Sequence, residues 1–243
     1  MGLIQIRDFQ KSFGTKKVHQ GVSFDVRKGE CLGLIGGSGT GKSVLLRSMI
    51  GLERPDAGEV IFDGIPVHEL TERQLIDVRK RMAYAFQGGA LFDSMTVFDN
   101  LAYPLREHTQ MTEIEISKKI KAQLAEFGLQ GNEEVYPGNL SGGMQKRVGL
   151  ARSIILGPEV ILYDEPTAGL DPFNTRKIQD MVLRLKSTGV TAVLVTHDMP
   201  FAFAVCDRIA MLMNGRIRAS GTVDEIEQQD SNLIGKFAQG EMI

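Results

Sequence analysis

Eight residues, Gly36-Gly37-Ser38-Gly39-Thr40-Gly41-Lys42-Ser43, have the types and spacing of a loop that holds phosphate. The pattern is G-x-x-x-x-G-K-[ST], whose glycines let successive backbone N–H groups converge on an anion with no Cβ in the way. The apolar run Cys31-Leu32-Gly33-Leu34-Ile35 before it reads as a buried strand, and Val44 to Ile50 after it as the first turns of a helix. That helix points its positive end at the same place. In this setting Lys42 is expected to reach the β- and γ-phosphates of a nucleotide, and the Ser43 hydroxyl to help hold Mg²⁺.

Three further stretches bring chemistry to the same edge of an α/β sheet, where ligands bind. Val160-Ile161-Leu162-Tyr163-Asp164-Glu165 is an apolar run ending in two carboxylates. Asp164 is suited to Mg²⁺, and Glu165 to polarising an attacking water. The plainer alternative is a pair of acids capping the next helix. Met82-Ala83-Tyr84-Ala85-Phe86 is a strand that delivers Gln87, followed by Gly88-Gly89 where the chain can turn sharply. Ala192 to Thr196 delivers His197, either a packing or capping residue or one whose ring N–H reaches a γ-phosphate. Leu140-Ser141-Gly142-Gly143-Met144-Gln145 opens another helix, with Ser141 as N-cap and Met144, Val148, Ala151 and Ile155 on one face. It is a second helix start suited to phosphate. Phe13, in a loop before Gly14, is either a packed aromatic or a face on which an adenine ring stacks.

The elements that must position these residues read as an α/β chain. Leu3 to Ile6 and Val22 to Val26 alternate as half-buried antiparallel strands, and Glu59 to Gly64 adds another. A helix spans Glu72 to Arg81. From Phe92 to about Leu150 the chain is mostly helical, with Ile114, Ile120, Leu124 and Phe127 apolar at helical spacing within Met111 to Phe127. Thr175 to Lys186 is amphipathic, with Ile178, Met181, Val182 and Leu185 facing inward, and Asn214-Gly215 is a hairpin signal.

The 243 residues suit one α/β domain with a smaller lobe, and a net charge of −2 gives no global attraction to nucleic acid or anionic lipid. Cys31 and Cys206 lie in apolar surroundings and read as buried thiols. No apolar run approaches the roughly 20 residues that cross a bilayer, and the N-terminus lacks the form of a signal peptide. A membrane role is expected to come through a partner.

With these residues in view, the sequence resembles the ATP-binding subunits of ABC transporters over essentially its whole length. Phe13 matches the adenine-stacking aromatic, more often Tyr in the family. Gly36 to Ser43 match the Walker A loop, Gln87 the Q-loop glutamine, and Leu140 to Met144 the signature motif. Asp164-Glu165 match the end of Walker B, Ala168-Gly169-Leu170-Asp171 the D-loop, and His197 the switch histidine. The resemblance implies a P-loop NTPase of ABC ATPase type. Its single domain, 1–243, has a RecA-like mixed-sheet core (1–87 and 151–243), an antiparallel β subdomain, and an inserted helical subdomain (about 88–150). It implies that Glu165, His197 and Gln87 are catalytic and that Ser43, Gln87 and Asp164 surround Mg²⁺. ATP is expected to lie between the Walker A loop of one copy and Ser141, Gly142, Gly143 and Asp171 of a second, in a head-to-tail homodimer coupled to an integral-membrane permease.

Phe86 to Val97, the run Ser141 to Val148 with its Met144-Gln145-Lys146-Arg147 sequence, and the tail around Phe237 to Glu241 resemble ATPases of MCE/Mla-type lipid transporters. That resemblance adds an MCE-domain protein and a small cytosolic accessory subunit as partners, and places the chain at the cytoplasmic face of the inner membrane. The plainer reading of Lys146-Arg147 is a solvated helix face. The runner-up function is the ATPase of an amino-acid or other small-solute importer. Soluble ABC factors usually carry two cassettes in one chain, and chromosome ATPases need long heptad coiled coils; this sequence has neither.

Overall fold

The computed structural model describes residues 2–228 and 233–240. Glu241, at the end of the tail read above, lies outside them. The strands are β1 (Ile4–Phe13), β2 (Lys16–Val26), β3 (Cys31–Ile35), β4 (Ala57–Phe62), β5 (Ile65–Pro66), β6 (Met82–Ala85), β7 (Val160–Asp164), β8 (Thr191–Val195), β9 (Arg208–Met213) and β10 (Arg216–Thr222). The helices are α1 (Lys42–Met49), α2 (Glu72–Arg81), α3 (Val97–His108), α4 (Glu113–Glu126), α5 (Gly142–Ile154), α6 (Pro172–Ser187), α7 (Met199–Val205), α8 (Val223–Glu227) and α9 (Leu233–Ala238).

Two sheets result. A four-stranded antiparallel sheet has the order β2-β1-β4-β5, and a six-stranded sheet has the order β10-β9-β3-β8-β7-β6. In the second, the pairs from β9 to β6 are parallel and β10 alone runs antiparallel, joined to β9 by the Asn214-Gly215 turn. Both residues of that turn have positive φ, 51° and 71°, as a tight hairpin between right-twisted strands requires.

The apolar runs of β3, β6, β7 and β8 are continuous because both faces are buried. Side chains alternate between two cores. Cys31, Ala83, Ala85, Ile161, Tyr163 and Leu194 face the layer built from α3 to α7. Leu32, Leu34, Tyr84, Leu162 and Val193 face α1, α2 and the antiparallel sheet. The two thiols meet in the first core, with Cys31 Sγ 3.8 Å from Cys206 Sγ and no covalent bond.

Two helix readings change. Ile114 is 83% exposed, and the buried face of α4 is Ile116, Ile120 and Leu124. Thr112 and Glu115 form a reciprocal capping box that fixes where the helix starts, and this phase turns Ile114 outward. Helix α6 begins at Pro172, ahead of Thr175, because Asp171 accepts from the Asn174 N–H and proline suits the first helical position. Strand β1 also runs on to Phe13, so Phe13 ends a strand and only Gly14-Thr15 turn the hairpin.

Candidate nucleotide-binding site

The phosphate loop leaves β3 and enters α1, and two of its glycines are dictated by contact. A Cβ on Gly36 would lie 2.3 Å from the Leu212 carbonyl of β9. One on Gly41, which has φ 97° and caps α1, would lie within 2.7 Å of Val18 and the His19 ring. Only glycine fits either place. Lys42 is 7% exposed and its Nζ donates to the carbonyls of Gly36 (2.8 Å) and Gly37 (3.0 Å). Burial holds its pKa below the ordinary lysine value, with Glu165 and Asp164 pulling the other way. Thr40 Oγ1 donates to Gly37 O and closes the loop on itself.

Ser43 Oγ donates to Asp164 Oδ1 at 2.7 Å, and the Tyr84 hydroxyl donates to Asp164 Oδ2 at 2.7 Å. Tyr84 is a residue that sequence reasoning missed. Its pKa is raised, first by burial and then by its bond to Asp164. The signal was parity: in neighbouring parallel strands Tyr84 and Asp164 point to the same face, but finding this needs the β6–β7 register. Among the described residues no group of three or more His, Cys, Asp or Glu is arranged to hold a metal alone. The Ser43–Asp164 oxygen pair nevertheless fits Mg²⁺, a hard ion that takes few protein ligands and completes its shell with phosphate and water.

Glu165 has φ 49°, unusual for a residue with a long side chain and a mark of backbone strain at a site. Its carboxylate meets the His197 segment. Oε2 accepts from His197 Nδ1 (2.8 Å) and from the His197 backbone N–H (3.3 Å). The helix-capping alternative for Glu165 is therefore displaced by a contact with His197, whose side chain is 67% exposed.

One cleft of about 750 Å³ is lined by Phe13, Lys16, Ser38, Gly39, Gly41, Lys42, Ser43, Gln87, Glu165 and His197 among others, whereas Gly36, Gly37, Thr40, Tyr84 and Asp164 are not among its lining residues. Phe13 is 46% exposed at its rim, so it is not a core residue. Lys16 and Val18, from β2, are lining residues without a sequence signal. Ser141 caps α5 by accepting from the Met144 N–H (3.3 Å), but Ser141, Gly142, Gly143 and Asp171 do not line this cleft.

Behind the site, His19 is 2% exposed, edge-on to Phe9, and neither ring nitrogen has a hydrogen-bond partner of normal geometry. Burial lowers its pKa to about 4, with the nearby Gly41 backbone opposing. Past Gln87, Gly89 presses directly on α5: a Cβ on Gly149 would lie 2.5 Å from Gly89 Cα. Arg152 of the same helix donates to the carbonyls of Gly89 (3.2 Å) and Ala90 (2.7 Å). Neither Lys146 nor Arg147 is a solvated face. Arg147 is 6% exposed and donates to Phe127 O and Gly128 O, satisfying the end of α4.

Residues 19–168 match the ABC transporter family model, more than half of the chain. The chain is 39% identical over 241 residues to the probable ribonucleotide transport ATP-binding protein mkl of Mycobacterium leprae, covering 99% of this chain and 70% of that one. It is 38% identical over 239 residues to the intermembrane phospholipid transport system ATP-binding protein MlaF of Escherichia coli K12, covering 98% and 89%. Among solved structures, a dimeric ATP-binding cassette in a post-hydrolysis state with ADP and Pi superposes with a TM-score of 0.84. It is 29% identical and covers 90% of this chain and 98% of that one. The chain belongs to the ABC transporter family, as one of its ATP-hydrolysing subunits.

Proposed function

We propose that this chain powers phospholipid transport between membranes, working as a head-to-tail pair on a separate permease at the cytoplasmic face of the inner membrane. The observation that carries the paired arrangement is the division of the site. Lys42, Glu165 and His197 share one cleft, whereas Ser141-Gly142-Gly143 opens a second phosphate-suited helix outside it. A second copy would bring that helix start to the cleft, giving two equivalent sites. The dimeric cassette that superposes on this chain supports the same reading.

In this reading Phe13 stacks the adenine, and the loop Gly36 to Gly41 with Lys42 binds the phosphates. Ser141, Gly142, Gly143 and Asp171 of the other copy close over them. Ser43 and Asp164, with Gln87 nearby, would hold Mg²⁺, which supplies charge neutralisation at the phosphates when bound. Tyr84 keeps Asp164 in the rotamer that faces Ser43. Glu165 takes the proton of the attacking water, and His197 holds Glu165 in place through ring and backbone.

The permease seat proposed is a groove of about 440 Å³ beside Gln87, where Leu52, Ile76, Phe86, Phe92 and Tyr103 are each 43 to 49% exposed. Five large apolar side chains open at one groove are what an amphipathic segment of a partner would bury. An MCE-domain protein and a small accessory subunit complete the proposed assembly. The phospholipid reading rests on the likeness to MlaF, and the likeness to mkl favours a second reading, ribonucleotide transport.

The test is capture of the tagged Glu165→Gln chain, with ATP and Mg²⁺, from detergent-solubilised native membranes. A permease with an MCE-domain protein is the expected result. A permease with a soluble solute-binding protein would replace phospholipid with a small solute, and no membrane protein at all would end the transport reading.

A further inference from the structure

Lys146 lies on α5, five residues after Ser141, and reaches across to the segment that follows Glu165. Its Nζ donates to Pro166 O (3.4 Å) and to Ala168 O. The Ala168 N–H in turn donates to Glu165 O (3.2 Å), and the Leu170 N–H to Thr167 O (3.1 Å), so the turn is continuous with Glu165. Both partners of Lys146 are backbone carbonyls. The ammonium supplies reach and several donors, and its charge also acts favourably on the nearby Glu165 carboxylate.

A second contact joins the same two elements. A Cβ on Gly143 would lie 2.7 Å from the Asn174 side chain, which packs against the start of α5, and Asn174 Nδ2 donates to Asp171 Oδ2. The far side of the loop is held as well, by Thr167 Oγ1 donating to Asp198 Oδ2 (3.3 Å) next to His197. The segment 166–171 thus hangs between α5 on one side and the His197 segment on the other.

We infer that Lys146 is a positioning residue that ties the start of α5 to the 166–171 loop and so fixes the turn that begins at Glu165. This rests on the reading in which Ser141 and Asp171 serve the other copy while Glu165 serves its own. Its consequence is that the placement of Glu165 depends on the helix that Ser141 opens. A protein held only by side-chain packing between α5 and α6 would lack that link.

The experiment compares Lys146→Met and Lys146→Arg with the unaltered full chain. Methionine keeps the apolar stem against Leu150 and Tyr163 and removes the donors. Without nucleotide, amide exchange at Ala168 and Leu170 is expected to quicken about tenfold in Lys146→Met, the effect of losing one charge-assisted hydrogen bond. The kcat for ATP is expected to fall about tenfold with KM within about twofold, because the groups that bind the nucleotide are untouched. Lys146→Arg should restore both. Unchanged exchange would overturn the tie, and quickened exchange with unchanged kcat would overturn its role in positioning. If Lys146→Met does not fold, Lys146→Leu, which also lacks donors, carries the same two readouts. Glu165→Gln run alongside separates the failures: turnover retained there refutes the role given to Glu165, whatever the exchange at Ala168 shows.

Discussion

Lowering the pH from 7 to 5 should destabilise this chain through His19, a buried residue that does not line the nucleotide cleft. In the folded protein the imidazole lies under Gly41 and against Phe9, and burial lowers its pKa to about 4. In the unfolded chain the value returns to the ordinary 6.5. Above pH 6.5 both states are neutral and His19 contributes nothing to the pH dependence. As the pH falls below 6.5 the unfolded chain takes up a proton that the folded chain refuses until about pH 4, so stability is lost across that window. Between pH 7 and pH 5 the loss comes to about 2 kcal/mol. The assay is urea unfolding at both pH values for the unaltered chain and for His19→Leu, which fills the space with an apolar group. Every other group is the same in both proteins and cancels in the comparison. The pH-dependent loss should be smaller in His19→Leu by about 2 kcal/mol, or several tenths of a molar in urea midpoint for the slope of a domain this size. Equal losses in the two proteins would show that His19 is protonated in the fold and would refute the account of its burial.

Three substitutions at the site complete the set. Glu165→Gln keeps shape and removes the basic carboxylate, so turnover should fall by about 100-fold or more while ATP affinity stays within a fewfold; near-normal hydrolysis would refute it as the base. Lys42→Ala should weaken ATP binding by about 30-fold, the value of a lost charge-assisted contact in a buried setting, measured by calorimetry; unaltered affinity would remove Lys42 from the phosphate site. Tyr84→Phe leaves Asp164 Oδ2 without its donor, and should cost about 2 kcal/mol in urea unfolding and raise the Mg²⁺ concentration needed for half-maximal turnover. Unchanged values of both would mean that Tyr84 does not orient Asp164.

What was legible in the sequence was what is local. The phosphate loop, the N-cap at Ser141 and the hairpin at Asn214-Gly215 each depend on neighbouring residues, and each is found where the sequence puts it. The strand-end positions of Gln87, Asp164 and His197 follow from apolar runs of strand length, and they too hold. Ile114 was misjudged because helical spacing gives a period and not a phase, and the phase was set by Thr112 two residues earlier. Phe13 stayed open until the length of the β1–β2 hairpin carried it to the cleft. Tyr84, His19 and Lys146 depend on strand register or on contacts between distant segments, which no window of sequence contains.

The backbone contact between Gly89 and Gly149 bears on how such a chain can diversify. Where two segments touch through side chains, one substitution can be absorbed by another across the interface. Here there is nothing to trade: any added carbon on Gly149 meets the main chain of Gly89. The joint between the glutamine loop and α5 is thus closed to mutation by geometry. In the neighbouring groove the rings of Phe86, Phe92 and Tyr103 are about half exposed and meet their neighbours through side chains, where a change of size and shape can be absorbed. New partners can be acquired by rewriting the open rings while the same machinery behind them is left alone.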